Sequence, residues 1–151
     1  MRKDEFVMRG KTLTGGEEVL NFSGFKPGYA YRLIEFQIYP STNIGAVQAE
    51  LAASITAAKT AEDPSNPDFN NQGLIATTFL TVYDTPKYPT SPPTTVINDT
   101  FLITQNLILA VKDNIAGSDH QINWQCKFMP VKMGKAEEAV TNYKQFMISD
   151  D

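Results

Sequence analysis

The sequence predicts a mainly β protein: an antiparallel β-sandwich, jelly-roll-like, with one C-terminal amphipathic helix. Three observations carry that expectation. Ile122, Trp124, Cys126 and Phe128 alternate with Asn123, Gln125 and Lys127, the period-two pattern of a half-buried strand. About seven or eight short runs of this kind are separated by Gly and Pro turn signals, as in sandwiches. The apolar period changes to steps of three and four only near the end, over residues 134–147. At 151 residues the chain suits a single domain, 1–151, with a sizeable core.

Taken in order, residues 5–9 form a short edge strand with Phe6 and Met8 on one side. Residues 1–10 are a candidate N-terminal arm that pairs with its own sheet or with a neighbour's. Residues 11–16 read as turn, since Gly15-Gly16 permits positive φ. Residues 17–22 are a second short strand with Val19 expected inward. Pro27-Gly28 suits the centre of a type II turn. Residues 29–39 form a strong strand, with Ala30, Ile34, Phe36 and Ile38 on one face and Tyr31, Glu35, Gln37 and Tyr39 on the other. Over residues 46–58 the alternation of Val47, Ala49, Leu51, Ala53 and Ile55 with polar and small residues favours strand, although the alanine content also permits helix.

Residues 59–73 are the main loop, rich in short polar side chains and broken by two prolines. A loop of this length in a compact domain is usually functional or mobile, and Phe69 within it either plugs the core or meets a partner. Residues 74–83 return as strand. Residues 84–95 hold four of the nine prolines, which favours extended backbone, and Tyr88 is their apolar feature. Strands follow at 96–103 and 107–112, readable as one long strand interrupted near Gln105-Asn106. In the terminal helix, 134–147, Ala136, Val140, Tyr143 and Met147 make the apolar stripe, while Glu137 and Glu138 near its start suit the helix dipole. The stripe docks on its own sheet or on another subunit's.

Composition narrows the function. The net charge of −4 and scattered basic residues argue against nucleic acid, which demands clustered Lys and Arg. No run approaches the ~20 apolar residues of a membrane helix, and Met1-Arg2-Lys3 opens no apolar signal sequence. One Cys excludes an internal disulfide, and Cys126 on an apolar face is a small core residue.

The search for catalysis and metal sites is negative at this level. Asp119 and His120 are strand neighbours that point to opposite faces, with no identifiable nucleophile. One Cys and one His leave a zinc site short of ligands. Asp63, Ser65, Asn66, Asp68, Asn70 and Asn71 offer oxygen ligands for calcium, but their spacing is not that of an EF-hand and prolines interrupt it. No catalytic residue, cofactor or metal is expected.

The stretch Ile122-Asn-Trp-Gln-Cys-Lys-Phe-Met-Pro-Val-Lys-Met133, followed by Glu137-Glu-Ala-Val-Thr-Asn-Tyr-Lys-Gln-Phe146, resembles the closing strand and helix of small virion proteins from bacteriophages, many of them marine. The resemblance implies a capsid-associated β-sandwich, such as a coat, decoration or vertex component, assembled in the host cytoplasm. Its partners would be copies of itself or other virion proteins, with no nucleic acid or membrane. It carries over no functional residue. Phe69, Tyr88, Tyr143 and Phe146 are the candidate interface anchors. Two rival expectations are a ligand- or carbohydrate-binding module using Tyr31, Tyr39 and Tyr88, and a hydrolase built around His120.

Overall fold

The structure, a computed structural model, describes residues 5–22, 28–41, 49–82, 93–115, 121–134 and 140–141. Among these lie eight strands: β1 (Phe6–Leu13), β2 (Glu17–Leu20), β3 (Tyr29–Pro40), β4 (Ala49–Thr56), β5 (Leu74–Val82), β6 (Thr94–Ile97), β7 (Leu107–Asp113) and β8 (Gln121–Lys132). They form two antiparallel sheets, one of three strands in the order β1-β8-β3 and one of five in the order β2-β7-β4-β5-β6. The sheets pack face to face as a sandwich, which meets the expected class.

The pairing is nested. β1 pairs with β8, β2 with β7, and β4 with β5. The fourth pair is a single bridge, in which Tyr31 of β3 and Ile103, downstream of β6, exchange N–H···O bonds of 2.9 and 2.8 Å. Early strands thus find late ones, outermost with outermost. The Leu13–Glu17 connection passes the chain from one sheet to the other. Gly15 takes a φ of +84° there, open to a residue without Cβ, and its N–H donates to the Val111 carbonyl at 2.8 Å.

The alternation of β8 puts Ile122, Trp124, Cys126 and Phe128 in the core. They meet Leu51, Ile55, Leu107, Leu109 and Val111 from the other sheet. Phe6, Phe22, Tyr31 and Phe128 pack as an aromatic cluster, with Phe6 stacked on Phe128 at 5.4 Å and Phe22 edge-on to it at 5.0 Å. Both separations lie in the favourable range for aromatic pairs. The buried indole Nε1–H of Trp124 donates to the Thr12 hydroxyl at 2.9 Å, and that hydroxyl donates to Glu18 at 3.2 Å. This polar relay ties β8 through β1 to β2. Gly10 lies against the same indole: a Cβ there would stand 2.7 Å from Trp124 Cζ2.

Several expectations are corrected. β1 continues through Leu13, because its pairing with β8 holds as far as Gln121; the turn is confined to Thr14–Gly16. The N-terminal arm, from Phe6 on, pairs with its own sheet. Val19 faces outward and is 64% exposed, since the register sets Leu20 beside buried Leu107 and Val19 beside Ile108 on the outer face. Tyr31, expected outside, is buried. A register shift between Leu33 and Glu35 is a β-bulge, which changes the phase of the strand. Tyr31 and Leu33 therefore point inward before it, and Phe36 and Ile38 after it. The strand expected over 96–103 ends at Ile97, where Asn98 turns the chain by accepting the Thr100 N–H and hydroxyl.

Of residues 134–147, expected as a helix, only Gly134, Val140 and Thr141 are among the described residues, and the expectation falls mostly outside them. Tyr88, His120, Tyr143 and Phe146 lie outside the described residues.

Candidate contact surfaces

Each sheet has an outer face, and the two are built differently. On the five-stranded sheet, β4 is central and buried on both sides. After Glu50 its outward residues are small: Ala52, Ser54 and Thr56. Residues 59–73 lie across them. The Ser54 hydroxyl donates to the Glu62 carbonyl at 2.8 Å, and the Glu62 N–H donates to the Thr56 hydroxyl at 3.0 Å. The small side chains leave room for backbone to approach the sheet.

The loop has no regular structure but is closely hydrogen-bonded. The Glu62 carboxylate accepts from the Asp68 N–H at 2.9 Å and from the Asn71 amide at 2.7 Å. Asp63, Asp68 and Asn71 each accept the N–H two residues on, the side-chain turn that suits Asp and Asn. Lys112 of β7 reaches the Asp63 carboxylate at 3.7 Å and the Ser65 hydroxyl at 3.1 Å. Hydrogen bonds from Ser65 hold the Asp63 carboxyl below its ordinary range, and Lys112 adds to this. Of the side chains that suggested calcium, those of Asp63, Ser65, Asp68 and Asn71 are engaged in these bonds. Among the described residues no group of three His, Cys, Asp or Glu side chains is placed to hold a metal.

The loop stops short of β5 and β6. There the outer face carries Phe79 and Val96, 50% and 49% exposed, and Phe69 stands beside them at the loop's rim, 63% exposed. Thr77 pairs with Val96 and Phe79 with Thr94, so these side chains share one surface. A groove of about 500 Å³ runs between Pro67, Phe69, Phe79 and Val96, and a second of about 360 Å³ lies on the other side of Phe69. Phe69 is thus a ridge between two shallow apolar grooves. β6, the edge strand beside them, has only four residues.

Among the described residues, the outer face of the three-stranded sheet holds its exposed aliphatic side chains, Val7 and Leu13, apart near the two ends of β1. It presents Arg9, Lys11, Gln37, Tyr39, Asn123 and Gln125 around a shallow groove of about 690 Å³. Lys127 pairs with Glu35 at 3.7 Å at one end. Tyr39 is 60% exposed, whereas Tyr31, its expected companion in a carbohydrate site, is in the core. Burial, with a smaller contribution from Tyr29, raises the Tyr31 phenol above its ordinary range.

Of the predicted anchors, the structure places Phe69 at a surface patch. The sequence reading missed its neighbours Phe79 and Val96. The available signal was Phe79 in phase with Thr77 and Thr81, an aromatic among outward threonines. Cys126 is fully buried, and burial pushes its thiol well above the ordinary range, so it offers no thiolate. No helix of the described residues is long and apolar enough to cross a membrane. Comparison with protein-family models, with curated proteins and with solved structures finds no match to this chain.

Proposed function

We propose that this chain is a jelly roll and a non-enzymatic structural subunit of a virion, a coat, decoration or vertex component that works by contact between copies. The observation that carries the reading is the nested strand pairing, β1 with β8, β2 with β7, β4 with β5, and β3 with the stretch after β6. Such an order is a long hairpin rolled up, and eight-stranded jelly rolls serve as capsid and lectin domains. Fold alone leaves function open, so the surface has to supply the rest. The strip of Phe69, Phe79 and Val96 supports assembly: apolar and aromatic at its centre, threonine-rich around it, and set beside a short edge strand, it has the make-up of an interface core with a polar rim. The occupant is a second copy of the chain, and the contact is isologous or part of a ring. The resemblance of the C-terminal stretch to the closing strand and helix of phage virion proteins supplies the virion setting, and the helix expected over 134–147 belongs to this reading as a second contact.

The test is the solution mass of wild type and of Phe79→Ser across a concentration series by light scattering, with electron micrographs of the same samples. A discrete multimer or shell-like particles are expected for wild type, and dissociation for the variant. A wild-type monomer at every concentration, indistinguishable from Phe79→Ser, would overturn self-assembly through this strip.

A further inference from the structure

The outer face of the three-stranded sheet has an order that only the register reveals. Lys11, Asn123 and Tyr39 lie in one cross-strand row, and Arg9, Gln125 and Gln37 in the next. Strands stand ~4.8 Å apart and same-face residues ~7 Å apart along a strand. The six side chains therefore form a grid of roughly 10 by 7 Å, the footprint of one or two pyranose rings. Cations occupy one edge, Asn123 and Gln125 the middle, and Tyr39 and Gln37 the far edge. Arg9 and Lys11 are exposed and make no ion pair with any described residue, in a chain whose net charge is −4.

We infer that this face binds an acidic oligosaccharide, a carboxylated sugar chain. The recognition follows from the chemistry of each column. A carboxylate lies against Arg9 and Lys11, where the hydrogen bonds are charge-assisted. Each amide of Asn123, Gln125 and Gln37 offers both donors and an acceptor, which matches the paired demand of vicinal hydroxyls. The ring of Tyr39 gives a flat apolar platform for the C–H face of a sugar. A protein partner fits less well, because the centre of a protein contact is depleted of charged residues such as Lys11. A nucleic acid fits less well, because two cations neutralise too few phosphates. The inference is independent of assembly, which uses the opposite sheet.

The experiment titrates ¹⁵N-labelled protein with trigalacturonate, neutral galactotriose, inorganic phosphate and a short oligothymidylate, following the side-chain amide resonances of Gln37, Asn123 and Gln125. Trigalacturonate is expected to move all three and to bind about tenfold more tightly than galactotriose. Tyr39→Ala, and separately the double change Arg9→Gln and Lys11→Gln, should each weaken it by about tenfold. An unaltered Trp124 near-ultraviolet signal marks the variants as folded, and Tyr39→Phe should bind nearly as wild type. Silence towards trigalacturonate, equal shifts from phosphate, tighter binding of oligothymidylate, or an affinity indifferent to Tyr39→Ala would each overturn the proposal.

Discussion

The two outer faces of this sandwich share one backbone geometry and differ in almost everything else. On the five-stranded sheet, residues 59–73 close over Ala52, Ser54 and Thr56, so the central strand is buried twice. On the three-stranded sheet, the central strand β8 sends Asn123, Gln125 and Lys127 outward, half-buried, with no comparable set of hydrogen bonds above them among the described residues. The difference teaches that a sheet's outer face takes its character from what crosses it. Where the chain lies across its own sheet, side chains shrink and hydroxyls hold backbone. Where it does not, long polar side chains spread out.

Adding the same bulk to each face should produce the largest contrast. Ser54→Leu forces a branched side chain beneath a loop that touches the sheet. It should cost about 1–3 kcal/mol from overpacking, with the lost bond to Glu62 in addition. Gln125→Leu on the open face should stay within about 0.5 kcal/mol. Urea denaturation of the two variants measures the gap, and equal costs would mean that the loop yields freely. A subtler break is Thr56→Val, which keeps the shape and removes the acceptor of the Glu62 N–H. A buried donor left alone costs about 1–3 kcal/mol, and the shape match puts this change at the lower end. Its signature is local: amide exchange within residues 62–73 should accelerate while that of β8 stays unchanged.

The smallest effect is a pH dependence confined to the covered face. The Asp63 carboxyl is depressed in the folded state, chiefly by Ser65. Its contribution is therefore present above the ordinary aspartate value of ~3.9 and fades as pH falls through the lower folded value. Because Asp63 is exposed, solvent screening keeps the effect small. Amide exchange at Ser65 and Asn66 should rise on acidification below that value in wild type, and the acid-side rise should vanish in Asp63→Asn.

Much of the architecture was legible because alternation is a local signal. β8 could be read residue by residue, and β4 was a strand despite its alanines. What escaped is non-local. In a strand as short as β2, Val19 and Leu20 are equally good inward residues, and only pairing with β7 chooses between them. Tyr31 was misplaced because a bulge changes phase in mid-strand without a Gly or Pro to announce it. The small outward residues of β4 carried no sign of burial, since nothing near them in sequence says that a later loop lies above. Phe69 stood out as an aromatic in a polar loop. The Lys11-Asn123-Tyr39 row joins three distant stretches and exists only once the register is known.

The nested pairing also sets a timetable for the newborn chain. Leu13 is partnered by Gln121 and Phe6 by Phe128, so the first strand made waits for the last. At ~5–20 residues per second on the ribosome, the ~110 residues from Leu13 to Gln121 take roughly 5–20 s to appear. Throughout that interval Phe6, Met8 and the Gly10 seat of Trp124 have no partner strand, while β4 and β5 can already pair. Completion of the smaller sheet thus waits for β8, and β1 is a segment that a chaperone or a neighbouring nascent chain can meet during that interval.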